Sequence, residues 1–189
     1  WAALGNALEA MAYVLGEKEK YEPALEQFSK AVAERGDLAK SWLDQGRCRF
    51  KRAAAFQDRA ELDAAIADLE KAAGLDPPLA EPNFWLGRAY AYSRNAKQSD
   101  DAYRRALERA EENPTVWAIY AEDWWSSMLG DVLAGIRKTP PDAIQLQRLR
   151  DFRAWAESHK DRPSSSLIVS WLVGQTHEAE GNHRAALKE

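Results

Sequence analysis

The strongest constraint on the fold is a set of residue types that recurs along the chain at fixed spacing. Leu86, Gly87 and Tyr90 follow Asn83 by three, four and seven residues. The same three intervals return 34 residues later, at Trp117, Tyr120, Ala121 and Trp124. A repeat of this length is one pair of helices that cannot bury its apolar side chains alone, so successive pairs are expected to stack.

The pattern extends over nearly the whole chain. Further copies begin at Trp1 and Trp42, and a partial copy includes Val173 and Gly174. The frame resembles the tetratricopeptide repeat, a helix–turn–helix unit with Trp, Leu-Gly, Tyr, Ala, Phe, Ala and Pro at fixed offsets. This resemblance implies an all-α fold, a right-handed superhelical solenoid of antiparallel helix hairpins with about four and a half units. We expect one domain over 1–189, with units at 1–38, 39–79, 80–113, 114–166 and a partial 167–189.

Two departures from the regular spacing predict local differences. The first and second units are each seven residues longer than the norm, and we expect one extra turn on each of their helices, making them about 5 Å taller. The fourth unit is longer still, which predicts a long hairpin turning at Thr139–Pro141. The alternative for that unit is three short helices between Trp117 and Pro163.

Close packing accounts for the residue types that recur within the frame. Glycine at Gly5, Gly46, Gly87 and Gly174 is expected to let paired helices approach each other. Large side chains fill the interface, so we expect Trp1, Trp42, Trp117 and Trp124 to be core residues.

Composition narrows the possible functions. The net charge is −4 and both signs are mixed evenly along the chain, which disfavours nucleic-acid binding. No apolar run approaches the length needed to span a bilayer, so no membrane insertion is expected. The single cysteine, Cys48, cannot form an internal disulfide and occupies a position where buried alanine is usual. These features favour a cytoplasmic, non-enzymatic protein.

Catalytic and metal-binding patterns are missing from the sequence. It has no phosphate-binding loop, nucleophile elbow or metal triad, so we expect no catalytic residues and no cofactor. His177 and His183 are six residues apart, whereas two ligands on one helix face need a spacing of three or four. We therefore expect no metal site.

The resemblance also implies a binding surface, because the first helices of successive units line a concave groove in this family. Arg47, Lys51 and Arg88 would make its centre basic, and Phe84, Tyr92 and Trp125 would add flat apolar surface. Arginine and aromatic residues are enriched at binding hot spots. The candidate groove residues are Asn6, Leu43, Arg47, Phe50, Lys51, Phe84, Arg88, Tyr92, Glu122, Trp125, Trp171 and Gln175.

The favoured function is a protein–protein interaction scaffold that binds a protein or peptide, with acidic or aromatic side chains, in this groove. Of the positions that grip a C-terminal carboxylate in some family members, only Asn6 fits. The alternative is a regulatory or spacer segment of a larger multidomain enzyme. Trp1 and Glu189 both lie inside helical patterns, so we expect the chain to be part of a longer protein. Apolar faces at the repeat ends also predict possible self-association.

Overall fold

A computed structural model describes residues 1–110, 112–136, 143–159, 170–171, 173–174, 176–177 and 181–182. The described residues contain helices and turns and no strand. The chain divides into two compact units, 1–109 and 110–189. The first unit contains α1 (Ala2–Val14), α2 (Tyr21–Glu34), α3 (Ala39–Phe56), α4 (Arg59–Leu75), α5 (Ala80–Tyr92) and α6 (Ala96–Arg109). The second contains α7 (Pro114–Ile136) and α8 (Ala143–Glu157).

Consecutive helices of the first unit pack as antiparallel pairs. In the α5–α6 pair, Arg105 donates to Asn83 at 3.0 Å, and Ser99 donates to the carbonyl of Gly87 at 2.9 Å. As the residue number rises along α5, the number of the residue that it contacts in α6 falls, which shows that the two helices are antiparallel. In addition, α3 contacts both α1 and α5, so the first helices of the three pairs form a continuous surface.

Glycines stand where the paired helices approach most closely, as the sequence predicts. A Cβ atom on Gly87 would lie 2.7 Å from the ring of Tyr103, and one on Gly46 would lie 2.8 Å from Leu69. A Cβ on Gly5 would meet the ring of Phe28 at 2.8 Å. Ordinary carbon contacts are about 3.5–4.0 Å, so these positions have no room for a side chain.

Polar residues and proline define where several helices begin. The side chain of Asp58 accepts a hydrogen bond from the backbone N–H of Glu61 and caps α4. Asn113 accepts from the N–H of Val116 and caps α7, with Pro114 at the first helical position. Both arrangements satisfy donors that a helix N-terminus leaves free.

The prediction of taller hairpins is confirmed for the second pair and wrong for the first. Helices α3 and α4 have 18 and 17 residues, against 13 and 14 in α5 and α6. Helices α1 and α2 have only 13 and 14. Gly16, at φ +74°, follows the end of α1, and the additional residues form a connection that contains a 3₁₀ turn at Lys18–Lys20. A left-handed glycine is a common helix terminator, which explains why α1 does not lengthen.

The second unit contains a long hairpin arm. Helix α7 has 23 residues and continues past Gly130 and Gly135, so the alternative of three short helices is wrong for this stretch. The expected turn at Thr139–Pro141 lies outside the described residues. Helix α8 packs back on α7, with the rings of Trp117 and Trp155 stacked at 5.8 Å.

The tryptophans expected in the core differ in their environments. Trp117 and Trp124 are buried, as predicted, and Trp124 meets Phe152 edge-on at 4.9 Å. Trp42 is half-buried and donates to the carbonyl of Gly36. Trp1 is 54% exposed, so its assignment to the core is wrong. It precedes the first helix, and within the described residues no further helix packs on its outer side.

None of the helices, within the residues that the structure describes, combines the length and the apolar character needed to cross a membrane.

Candidate functional site

The structure places the candidate groove residues in two groups. Eight lie in the first unit, on α1, α3 and α5: Asn6, Leu43, Arg47, Phe50, Lys51, Phe84, Arg88 and Tyr92. In the second unit, Glu122 and Trp125 lie on α7, and Trp171 follows α8. Gln175 lies outside the described residues.

A buried carboxylate joins α1 to α3. Glu9 is 3% exposed and accepts three hydrogen bonds from the guanidinium of Arg47 through its two oxygens, the shortest at 3.0 Å. The ammonium of Lys51 lies 2.5 Å from Oε1 of Glu9. Arg47 also donates to Asn6 at 2.7 Å and forms an ion pair with Asp44 at 3.3 Å. The network therefore connects the first two hairpins through their interior-facing side chains.

The network corrects the expectation of a basic groove centre. The charges of Arg47 and Lys51 are compensated by Glu9 and Asp44, and Arg47 is additionally 3.7 Å from Glu81. Burial lowers the pKa of Arg47, but the hydrogen bond and charge of Glu9 outweigh it, so the net pKa is raised. Arg47 therefore remains charged, and its ion pairs stabilise the fold. Leu43 is fully buried and cannot contact a partner, which corrects its place in the groove.

Aromatic rings and a second cation extend the surface from α3 to α5. The guanidinium carbon of Arg88 lies 4.9 Å from the ring centre of Trp85 and within 6 Å of the rings of Phe50 and Phe84. The ring of Phe50 also meets Tyr92 edge-on at 6.1 Å. Cation–π and edge-to-face contacts of this kind hold the side chains in fixed orientations.

These residues border a cleft of about 450 Å³ at the end of the groove where α1 and α3 terminate. Four of the candidate residues line it: Phe50, Lys51, Arg88 and Tyr92. The sequence analysis did not identify the other lining residues as site residues: Ala12, Tyr13, Gly16, Lys18, Tyr21, Ala54 and Ala55. The signal that could have found some of them is the seven-residue excess in the first unit, since Tyr13, Gly16 and Lys18 lie within it.

The second unit brings together two of its three described candidates. The rings of Trp125 and Trp171 are 5.4 Å apart, and Trp171 is half-exposed. Glu122 is exposed on α7. Trp124 and Trp125 face different neighbours, since Trp124 packs on α8.

Cys48 and His177 have side chains that can react or bind metal, but their surroundings are typical of structural residues. Cys48 is fully buried, and burial is the main reason that its thiol pKa is raised well above the usual value. His177 lies 3.0 Å from Arg153, and His183 lies outside the described residues. Within the described ranges, no three His, Cys, Asp or Glu side chains are grouped so as to hold a metal ion.

Comparison with known proteins agrees with this geometry. Residues 80–113 match the family model of the tetratricopeptide repeat. The chain has the tetratricopeptide-repeat fold. Among curated proteins, none is significantly similar to it in sequence.

Solved structures of similar fold have low sequence identity to this chain. One structure of MamA protein is 16% identical, with 99% of this chain and 86% of that chain covered and a TM-score of 0.57. Another is 19% identical, with coverages of 91% and 85% and a TM-score of 0.54. The TPR-like repeats of a Podosopora anserina kinesin-light-chain-type protein are 14% identical, with coverages of 97% and 89% and a TM-score of 0.50. At these identities the likeness shows the fold alone. Tetratricopeptide proteins generally mediate protein–protein interaction.

Proposed function

We propose that the chain is a protein–protein interaction scaffold that binds a peptide segment of its partner on the face formed by α1, α3 and α5. The observation that carries this proposal is the cleft bordered by Phe50, Lys51, Arg88 and Tyr92. Its volume falls within the range of about 300–1,000 Å³ that is usual for ligand sites.

The composition of the cleft supports binding rather than chemistry. Among the described residues, its lining contains aromatic, small apolar and cationic side chains, and no Asp, Glu, His, Ser or Cys. A general acid–base site needs a group that titrates near neutral pH, and such groups are mostly carboxylates and histidines. Tyrosine and arginine, in contrast, are among the residues most enriched at the hot spots of protein interfaces. The same lining favours partners with acidic or aromatic side chains.

The preorganised side chains of the cleft are a second observation that supports the proposed function. Phe50 is buried, Lys51 is held by Glu9, and Arg88 rests on three rings, so these side chains need little ordering when a partner binds. Immobilising a flexible side chain at an interface costs about 0.5–1.5 kcal/mol, and here most of that cost has been met on folding.

The test measures peptide binding by the intact chain. Peptides selected from a random displayed library should bind with an affinity near 1 µM, about −8 kcal/mol. Tyr92→Ala removes a 45% exposed ring from the mouth of the cleft and should weaken binding at least about tenfold, as truncation of a central aromatic does. The matched control is Ile119→Ala, which removes an exposed apolar side chain that does not line the cleft.

Equal affinities of the wild type and Tyr92→Ala would refute the proposed site. Circular dichroism of both variants must show an unchanged fold. Arg47→Glu is unsuitable for this purpose, because Arg47 supports the fold through Glu9.

A further inference from the structure

The cleft has an apolar floor and a cationic rim. Ala12, Ala54 and Ala55 present small side chains, and the buried ring of Phe50 adds a flat apolar wall. Lys18, Lys51 and Arg88 also line the cleft, and no carboxylate lines it in the part of the chain that the structure describes. This combination fits a large apolar group that carries an anion beside it.

Lys18 is the rim cation with uncompensated charge. Its ammonium donates to the carbonyl of Ala55 at 3.0 Å and lies 5.6 Å from the ring centre of Phe56. Within the described residues it has no carboxylate within 4 Å, whereas Lys51 is bound to Glu9. A carbonyl and a ring attract a cation without neutralising it, so Lys18 can pair with an anion supplied by a partner.

Tyr21 adds a hydrogen-bond donor to the same cleft. Its side chain is 2% exposed and lines the cleft. Burial raises the pKa of Tyr21 to about 12, so the hydroxyl keeps its proton at neutral pH. Because Tyr21 lines the cleft, this hydroxyl can donate a hydrogen bond to a partner oxygen there.

We infer that the cleft binds an extended peptide in which an Asp or Glu lies next to a large apolar side chain. The apolar side chain packs on Ala54, Ala55 and Phe50, and the carboxylate accepts hydrogen bonds from Lys18 and Tyr21. This inference rests on the proposed function and adds which residues select the partner sequence. Lys18 and Tyr21 lie outside the groove positions of the repeat frame, in and beside the connection between α1 and α2.

The experiment takes one peptide from the selection, synthesised with an amidated C-terminus so that its only carboxylate is the side chain. Its dissociation constant is measured against the wild-type chain, Lys18→Met, Tyr21→Phe and the control Lys30→Met. Lys30 is matched to Lys18 because it also lies over an aromatic ring, 5.1 Å from the centre of Trp1, but it does not line the cleft. The same measurements are repeated with the acidic residue of the peptide changed to its amide.

The acid-to-amide change should weaken binding to the wild type by about threefold to tenfold, the usual effect of losing a hydrogen bond. Lys18→Met and Tyr21→Phe should each reproduce part of that loss. In Lys18→Met the acid-to-amide change should have an effect below about twofold, because the charge that it pairs with is gone. Lys30→Met should behave as the wild type.

Different failures have different meanings. If the amide peptide binds the wild type as well as the acidic one, or if the carboxylate effect persists in Lys18→Met, the inference is overturned while sensitivity to Tyr92→Ala still supports the proposed function. If only peptides with a free C-terminus bind, the anion is the chain terminus and the inference is again overturned. If no peptide binds the cleft, both proposals fail.

Discussion

The close approach of α5 and α6 at Gly87 gives a quantitative prediction. In Gly87→Ala, the new Cβ would lie 2.7 to 2.8 Å from three ring atoms of Tyr103, about 1 Å closer than an ordinary carbon contact. The ring of Tyr103 is fully buried and cannot swing out into solvent. The helices must therefore separate or the ring must leave its preferred orientation.

The expected magnitude combines two opposing effects. Overpacking of this kind costs about 1–3 kcal/mol, and replacing glycine by alanine inside a helix contributes about 0.5–1 kcal/mol of stability. The net result for Gly87→Ala is a loss of about 1 kcal/mol in the free energy of unfolding. Gly74→Ala is the matched control, because Gly74 lies in α4 with nothing within 4 Å of its Cβ position. That variant should gain up to about 0.5–1 kcal/mol, the full effect of this change in the middle of a helix.

Urea unfolding followed by far-ultraviolet circular dichroism measures both variants on the same scale. The decisive quantity is the difference between them, about 1–3 kcal/mol, which isolates the overpacking cost from helix propensity. Equal stabilities of Gly87→Ala and Gly74→Ala would refute the close approach at Gly87 and, with it, the packing argument for glycine in the repeat.

Three further outcomes follow from buried groups in the first unit. Arg47→Glu should lower the unfolding free energy by about 3 kcal/mol, because it removes one of the two cations that pair with buried Glu9 and puts a carboxylate beside Glu9 and Asp44, and an unchanged urea midpoint would contradict this. Cys48 should react with a thiol reagent only as fast as the chain unfolds, and a native rate like that of a free thiol would be inconsistent with its burial. Burial raises the pKa of Asp68 above 3.8, so the folded state binds this proton more tightly and the contribution of Asp68 to stability falls as pH rises through its folded pKa. Asp68→Asn should therefore gain stability relative to the wild type as the pH rises above about 4, and a difference independent of pH would disprove the shift.

The packing of helix pairs could be predicted from the sequence because it depends on residues inside the repeat frame. The spacing alone places Gly87 opposite a large residue of the next helix, and the structure supplies Tyr103 there. The same frame correctly gives longer helices α3 and α4, since their connection has no glycine to end α3 early.

The electrostatics and the cleft could not be predicted in the same way. Glu9 stands at a groove position of the frame. Only the structure shows that its carboxylate is paired with Arg47 and Lys51, which are 38 and 42 residues away in the sequence. Tyr13 and Lys18 belong to an insertion whose path no repeat pattern describes. The path of this insertion depends on Gly16, whose left-handed backbone follows the end of α1. The seven additional residues therefore form a connection and do not lengthen the helices.

That connection has a consequence for how such a chain can change. Apart from Gly16, whose positive φ favours glycine, its mostly exposed residues and its position between two complete helices allow substitutions and insertions at little cost to stability. It nevertheless supplies part of the wall of the cleft through Gly16 and Lys18. New recognition properties can therefore be acquired, in evolution or by design, through a short interchangeable segment while the helices that fold the protein keep their sequence.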